Sequence, residues 1–236
     1  MRALIVTNMY PTPQRPELGR FVADQVAALR RTGEVDVELY SFAPGGSRSY
    51  PRAAVALRAR HGRERFDVVH AHYGLTIWPA LAVRGRIRAV TLHGTDLSHP
   101  LARPVTLAGL PVNDIVGVVS EPLGARVPRR ALRGRLAVLP CGVDLERFHP
   151  IDRGEARRAL GLDPDGRYLL FCADPARPEK RHDRARAAAG DVPLLTLGNV
   201  DPAEVPLWVN AANAVLVPSE REGFGLAALE ALACDV

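Results

Sequence analysis

The sequence predicts an α/β protein of two Rossmann-like domains, the second of them incomplete. Short apolar runs, typical of buried parallel strands, alternate with helix-forming segments along all 236 residues. A connecting segment at residues 144–150 separates an N-terminal domain, residues 1–150, from a C-terminal domain, residues 151–236. Polar residues and glycines follow several of the candidate strands, and open α/β sheets bind their ligands beyond the carboxyl ends of their strands.

The N-terminal domain contains enough strands for a complete doubly wound sheet. Its first apolar run is a strand rather than a signal peptide, because the run is short and soon becomes polar. The predicted strands are residues 3–7, 35–40, 68–70, 89–92, 115–119 and 137–140. The predicted helices are residues 19–31, 53–61, 76–83 and 122–127.

The C-terminal domain contains about half of such a sheet. Its predicted strands are residues 168–173, 193–197 and 214–217, and its predicted helices are residues 179–189, 202–212 and 226–233. Pro218 ends the last strand, and strong helix formers fill the last helix. An unfinished sheet has an open edge that can pair with another chain. We therefore expect self-association, and weak or absent turnover, from a chain that ends at Val236.

Positive charge is concentrated in the N-terminal domain. Residues 1–150 carry 21 Arg and 12 acidic residues, whereas the remainder carries 10 basic and 14 acidic residues. A basic domain can face anionic lipid headgroups or an anionic acceptor. A compositional preference for Arg over Lys explains the same excess, since Lys180 is the only lysine in the chain. Nucleic acid is not an expected partner, because no nucleic-acid-binding motif accompanies the charge.

The cysteines and the hydropathy indicate a cytoplasmic protein. Cys141, Cys172 and Cys234 are odd in number and widely spaced, which fits neither a disulfide framework nor a metal site. No apolar run approaches the roughly 20 residues that span a bilayer. We therefore expect a protein of the cytoplasm, with any membrane contact peripheral, at the inner face, and made by the basic domain.

The most informative motif lies between the last predicted strand and the last predicted helix. The run Gly223-Phe224-Gly225-Leu226 is a glycine-bearing turn into a helix N-terminus, where free N–H groups and the helix dipole suit a phosphate. Glu222 precedes this turn, and Glu230 lies two helical turns further on. Their carboxylates can accept hydrogen bonds from sugar hydroxyls, so the pattern suggests a nucleotide sugar as ligand.

This pattern, two Glu residues with seven between them, resembles the donor-site signature of retaining glycosyltransferases with the GT-B fold. The resemblance is closest to the glycosyltransferase family 4-like, group 1 proteins, and four other segments resemble this family in the expected order. They are residues 66–72 (Phe-Asp-Val-Val-His-Ala-His), 90–96 (Val-Thr-Leu-His-Gly-Thr-Asp), 139–148 (Leu-Pro-Cys-Gly-Val-Asp-Leu-Glu-Arg-Phe) and 174–180 (Asp-Pro-Ala-Arg-Pro-Glu-Lys). The resemblance implies a hexosyltransferase that moves a sugar from a nucleoside diphosphate sugar to a hydroxyl of a glycan, lipid-linked or small-molecule acceptor, with retained configuration.

The resemblance also implies roles for individual residues. His93 and Glu222 are the expected catalytic residues, His93 against the transferred sugar and Glu222 on the sugar hydroxyls. The expected donor-binding residues are Gly19, Arg177, Lys180, Glu222, Gly223, Phe224, Gly225, Leu226 and Glu230. His72 and Asp96 are expected on the acceptor side. Basic side chains and helix amides would stabilise the leaving diphosphate in place of a metal, so neither a cofactor nor a metal is expected.

Some features depart from the family pattern and leave alternatives open. Pro175 stands where the family has an arginine, and Arg177 is the expected substitute. His70 and His72 could instead bind zinc, although no third ligand is near them in the sequence. The chain could also be a non-catalytic protein that binds a nucleotide sugar or a partner, or a nucleotide-sugar epimerase or phosphorylase on a similar fold.

Overall fold

A computed structural model describes residues 1–198 and 200–236. The chain divides into two compact units, Met1–Gly142 and Val143–Val236, called unit 1 and unit 2 below. The sequence predicted the division after residue 150. The structure places it earlier because Phe148, only 1% exposed, packs in the hydrophobic core of unit 2.

Unit 1 contains a six-stranded sheet in which every neighbouring pair is parallel. Its strands are β1 (Arg2–Thr7), β2 (Asp36–Ser41), β3 (Arg65–His72), β4 (Arg84–Leu92), β5 (Ile115–Val118) and β6 (Arg135–Val138), in the spatial order β2-β1-β3-β4-β5-β6. All six predicted strands are therefore confirmed. Strand β4 begins at Arg84, five residues before the predicted start. The sequence did not reveal these first residues as strand, because they are mostly exposed and lack the apolar pattern of a buried strand.

The helices of unit 1 are short apart from the first two. They are α1 (Arg20–Arg31), α2 (Ser49–His61), α3 (Ile77–Ala80), α4 (Thr95–Ser98), α5 (Ala102–Gly109) and α6 (Glu121–Gly124), with 3₁₀ turns at Gly74–Thr76, Leu110–Val112 and Arg129–Ala131. The helix predicted at 76–83 is shorter in the structure: α3 ends at Ala80, and three residues then lead to the start of β4 at Arg84. The sequence analysis missed α5, whose first turn contains Pro104, a residue usually read as a break.

Unit 2 contains the three parallel strands that the sequence predicted. They are β7 (Leu169–Phe171), β8 (Leu194–Thr196) and β9 (Ala214–Leu216), in the order β8-β7-β9, with helices α7 (Arg153–Ala159), α8 (His182–Ala189), α9 (Val205–Ala211) and α10 (Leu226–Ala233). The helix predicted from residue 179 begins instead at His182. A 3₁₀ turn, Pro178–Lys180, precedes it, and Arg181 has a left-handed backbone (φ 58°) between the two.

Both units are thus α/β structures with parallel sheets, as predicted. None of the helices that the structure describes combines the length and the apolar character needed to cross a bilayer. Each unit contains one of the two tryptophans of the chain, Trp78 in unit 1 and Trp208 in unit 2. Replacing either one by Phe leaves a fluorescent reporter that is specific to the other unit.

Helix α7, which the sequence analysis missed, begins at a side-chain cap. The Asp152 Oδ1 atom accepts a hydrogen bond of 2.9 Å from the Glu155 backbone N–H. An Asp three residues before a Glu is a capping-box signal, and these two residues lie just after the predicted connection, in a stretch for which no element was predicted.

Replacing Asp152 by Ala should lower the free energy of unfolding of unit 2 by about 1 kcal/mol, because the first turn of α7 loses its cap. The measurement is urea unfolding followed by Trp208 fluorescence in a Trp78→Phe background. Arg153→Ala is the matched control, since Arg153 is exposed and arginine and alanine have similar helix propensities. Equal stability of the Asp152→Ala and Arg153→Ala variants would contradict the capping role.

Candidate functional site

Three histidines form a contiguous cluster at the carboxyl edge of the unit 1 sheet. His70 and His72 end β3, and His93 follows the neighbouring strand β4, whose Thr91 pairs with His72. The Nδ1 atom of His72 lies 3.2 Å from the Nε2 atom of His93, and the two rings stack with centroids 5.4 Å apart. Phe21 of α1 also packs against His93, with centroids 4.7 Å apart. The sheet register therefore brings together residues that the sequence singled out separately.

The hydrogen bonds of this cluster favour one tautomer of His93. His72 is completely buried, and its Nε2 atom has no partner among the described residues. A proton on His72 Nδ1 can be donated to His93 Nε2, whereas a proton on His72 Nε2 would be a buried unpaired N–H. His93 then accepts at Nε2 and keeps its own proton on Nδ1. The arrangement can therefore supply a neutral imidazole N–H donor from His93.

Burial keeps the three imidazoles neutral. Desolvation lowers the pKa of His70 to about 4, and it lowers the pKa of His93 to about 3 with a smaller contribution from His70. The pKa of His72 is also well below its ordinary value, through desolvation and then through His70 and His93. At neutral pH the cluster carries no charge, so His93 acts as a dipolar hydrogen-bonding group rather than as a cation.

Asp96 holds the loop that carries His93. Its side chain is fully buried and accepts backbone N–H hydrogen bonds from His93 (3.0 Å), Gly94 (2.8 Å) and Gly74 (3.3 Å). Desolvation raises the pKa of Asp96, and these backbone hydrogen bonds oppose the rise. His72 and Asp96, which were expected on the acceptor side, are both fully buried, and both contact His93. They can therefore position His93, and their place on the acceptor side stays a prediction.

Gly19 is required by the backbone at the start of α1. It has a left-handed conformation (φ 63°), and a Cβ atom built on it would lie 2.2 Å from the Met9 carbonyl oxygen. Any side chain there would push apart the segment after β1 and the helix that carries Phe21. A contact between Gly19 and a donor remains a prediction.

In unit 2, the predicted strand, turn and helix lie as expected and converge with Lys180. Gly225 is the N-cap of α10 with φ 92°, a conformation that favours glycine, and the first amides of the helix have no partner within it. The Lys180 Nζ atom lies 2.7 Å from the Glu222 Oε1 atom, and both side chains are partly buried. The Glu220 N–H donates to the Glu179 carbonyl (3.2 Å), which ties the loop before α10 to the Pro178–Lys180 turn.

Arg177 is not part of this convergence. Its guanidinium is mostly exposed and binds Glu179, two residues away, at 2.8 Å. Arg181, which the sequence analysis missed, lies closer to the loop and pairs with Glu220 and Asp183. Arg181 was not singled out because the sequence predicted one continuous helix across it. In the structure its left-handed backbone turns the chain between Lys180 and α8.

Glu230 lies on α10 in a partly buried position next to a second arginine. The Arg147 Nη2 atom is 4.0 Å from the Glu230 Oε1 atom, and each side chain is less than one fifth exposed. Arg147 was not predicted as a site residue, although it lies in one of the segments that carry the resemblance. Burial raises the pKa of Cys172 to about 12, with Glu230 adding to the rise, which favours the neutral thiol over the thiolate.

The described residues contain one group of three potential metal ligands, Glu38, His61 and Glu64. The guanidinium of Arg2 binds both of these carboxylates, and His61 Nδ1 lies 3.0 Å from Glu64. Arg2 thus already supplies the positive charge that a cation would bring, and the group is an ion-pair cluster at the start of β1.

The histidine cluster should make unit 1 sensitive to acid. The pKa of His70 is about 4 in the folded chain and about 6.5 when unfolded, so the unfolded state binds more protons between these values. The free energy of unfolding is therefore unaffected by the titration of His70 above pH 6.5, and it decreases as the pH falls from 6.5 to 4. The decrease amounts to about 3 kcal/mol for a buried group with this shift. Asp96 has a raised pKa in the folded chain, so its protonation in the folded state opposes this loss of stability as the pH falls.

Comparing the wild type with His70→Gln separates the His70 contribution from that of Asp96. The wild type should lose about 3 kcal/mol more unfolding free energy than the variant between pH 7.5 and pH 4. Urea unfolding followed by Trp78 fluorescence, in a Trp208→Phe background, measures both slopes. His99→Gln is the control, since His99 is exposed. Parallel slopes for the wild type and His70→Gln would show that His70 is not held neutral.

Comparisons with known proteins agree with the division into two units. Residues 3–147 match the family model of Glycosyltransferase Family 4, and residues 165–236 match that of Glycosyl transferases group 1. The D-inositol 3-phosphate glycosyltransferase of Frankia alni is 31% identical over 244 residues, covering 77% of this chain and 59% of that protein. The chain therefore spans less than two thirds of the length of this relative.

Solved structures show the same fold. The sucrose-phosphate synthase of Thermosynechococcus elongatus is similar with a TM-score of 0.76 and 19% identity, over 99% of this chain and 79% of that one. Anabaena HepE, solved in complex with UDP-glucose, is similar with a TM-score of 0.65 and 15% identity, over 98% of this chain and 78% of that one. These likenesses confirm the predicted α/β fold with parallel sheets, of which the second domain here covers a part.

Proposed function

The chain belongs to Glycosyltransferase Family 4, and from this membership we propose that it transfers a sugar from a nucleoside diphosphate sugar to an acceptor hydroxyl, with retention of configuration. In this reaction the bond between the sugar C1 and the diphosphate oxygen breaks, and a bond between C1 and the acceptor oxygen forms. The acceptor proton passes to the departing diphosphate. No oxidant, reductant or covalent enzyme intermediate is required.

The convergence of Lys180, Glu222 and the α10 N-terminus is the observation that best supports a donor site in unit 2. A partly buried cation near a helix N-terminus suits a diphosphate, because charge–dipole interactions are strong where water is excluded. In the absence of donor, Glu222 holds Lys180. A bound diphosphate would compete for Lys180, which would release Glu222 to accept hydrogen bonds from the sugar hydroxyls.

Glu230 and Arg147 support a second part of the donor site. Glu230 is a little more than one turn along α10 from the proposed phosphate position, and its carboxylate can accept hydrogen bonds from the ribose hydroxyls. Arg147 lies at 4.0 Å and can orient that carboxylate. The HepE complex with UDP-glucose makes uridine diphosphate sugars the first donors to test.

His93 supports the reacting end of the proposed mechanism. A neutral N–H donor can hydrogen-bond to a hydroxyl oxygen of the transferred sugar and position it, without the repulsion that a cation would bring to an oxocarbenium-like transition state. Positive charge from Lys180 and the α10 amides would stabilise the leaving diphosphate, so we propose that no metal ion is needed.

The proposed function is tested by incubating the protein with UDP-, GDP- and ADP-linked hexoses and a panel of alcohols, and by measuring nucleoside diphosphate release. Release that depends on an alcohol, with a product of the same anomeric configuration by NMR, is the expected result. Nucleotide binding without release would indicate a non-catalytic binding protein. Interconversion of the sugar without an alcohol would indicate an epimerase.

A further inference from the structure

Unit 1 contains a cavity of about 690 Å³ that the proposed mechanism does not use. The segments that line it follow β2, β3 and β4, so it opens at the same carboxyl edge of the sheet as His93. Its larger lining side chains are Tyr50, Tyr73, Leu75, Trp78, Leu101 and Val105. A cavity of this size falls within the range of small-molecule sites, about 300–1,000 Å³.

The lining is aromatic and aliphatic, without formal charge. Among the described residues, no Lys, Arg, Asp or Glu lines the cavity, and the other polar side chains are Ser47 and His99. The Trp78 Nε1–H donates to the Val105 carbonyl (3.3 Å), and His99 Nδ1 accepts from the Leu101 N–H (3.3 Å). The indole N–H is thus already paired, and ring faces and aliphatic groups remain for a ligand. A phosphate would find no cation here.

Tyr73 connects this cavity to the histidine cluster. It follows His72 directly and has φ 84° and ψ 131°, a conformation that non-glycine residues rarely adopt. Its N–H donates to the Thr91 carbonyl (3.0 Å), and its carbonyl accepts from the Thr76 N–H (2.9 Å). Backbone strain that the surroundings hold in this way is typical of residues that clamp a ligand.

We propose that this cavity binds the acceptor through an uncharged, ring-shaped apolar group that carries the reacting hydroxyl. The proposal rests on the proposed function and names the class of acceptor. Flat or cyclic groups fit best, because three of the lining residues, Tyr50, Tyr73 and Trp78, have aromatic rings with which such a group can pack. The carboxyl edge shared with His93 places such a group in the same unit as the residue expected to contact the transferred sugar.

The test compares calorimetric titrations with 2-naphthol, farnesol and myo-inositol 1-phosphate, which represent a ring, a chain and a charged cyclic alcohol. The proposal predicts that 2-naphthol binds most tightly. Val105→Arg should weaken its binding at least about tenfold, since it places an unpaired charge in the apolar lining. Trp78→Leu should weaken it by about 2- to 10-fold through loss of one aromatic face. Val55→Arg is the matched control, because Val55 is exposed on α2 away from the cavity.

Each outcome decides the proposal. Tighter binding of farnesol or of inositol phosphate would overturn it, as would failure of 2-naphthol to bind or equal effects of Val105→Arg and Val55→Arg. Circular dichroism confirms that the variants fold. Uridine diphosphate titrated into the same samples tests the donor site separately. Binding of 2-naphthol without nucleotide binding would refute the transferase function while leaving the cavity's ligand class in place.

Discussion

Replacing Asp96 by Ala should destabilise unit 1 by about 3 kcal/mol or more, because three backbone N–H groups lose their acceptor. Gly74 and Gly94 lie in the buried interior, where water cannot replace the carboxylate. Asp96→Asn should recover only part of the loss, since its amide group has one acceptor oxygen for the two that the carboxylate uses. Urea unfolding followed by Trp78 fluorescence, in a Trp208→Phe background, measures these effects.

Asp67→Ala is the matched control for this prediction. Asp67 also accepts a backbone N–H, that of Arg2 at 2.8 Å, but it is exposed, so water can take its place. We expect a change within about 1 kcal/mol. Similar losses of unfolding free energy in Asp67→Ala and Asp96→Ala would contradict the claim that burial makes the Asp96 hydrogen bonds more stabilising than that of Asp67.

Replacing His93 by Ala should lower kcat by about 100-fold or more, as expected when a group that positions the reacting sugar is removed. The dissociation constant of the nucleoside diphosphate should stay within about twofold, because the loss is confined to the transition state. Steady-state kinetics with the best donor of the panel, together with calorimetry, separates the two quantities.

His149→Ala is the control for the His93 prediction. His149 is exposed, its Nδ1 atom lies 3.0 Å from the Glu146 carbonyl oxygen, and its backbone carbonyl, which accepts from Asn210, is kept in the variant. An unchanged kcat in His93→Ala would assign His93 a structural role. A large rise in nucleotide dissociation constant would instead indicate that the replacement disturbs the fold or the donor site.

Much of the candidate site could be predicted from the sequence, because the apolar runs show where each buried strand ends. Parallel strands align their carboxyl ends, so His93 and the turn before α10 could be placed at ligand-binding edges from the apolar runs alone. The strand, turn and helix around Gly225 depend on local preferences, and the structure confirmed their order. Such features depend on only a few consecutive residues.

The features that the sequence did not reveal depend on contacts between distant segments. Whether Asp96 faces a ligand or the backbone is decided by Gly74, 22 residues away, and by the depth of the loop. The pairing of Arg177 with Glu179 was not evident from the sequence, and the left-handed backbone of Arg181 was hidden within a run that predicts one continuous helix. The cavity beside Tyr73 is lined in part by Ala102 and Val105 of α5, and α5 itself was not predicted.

The central claim is that unit 2 holds a nucleoside diphosphate through Lys180 and the N-terminus of α10, without a metal ion. Calorimetric titration of uridine and guanosine diphosphates in the presence of a chelator tests it most directly. The account predicts that binding survives chelation and that Lys180→Ala weakens it by about tenfold or more, as for loss of a charge-assisted contact. Arg177→Ala should weaken it much less, because Arg177 is paired with Glu179. Loss of binding on chelation, or equal binding by the wild type and Lys180→Ala, would contradict the account.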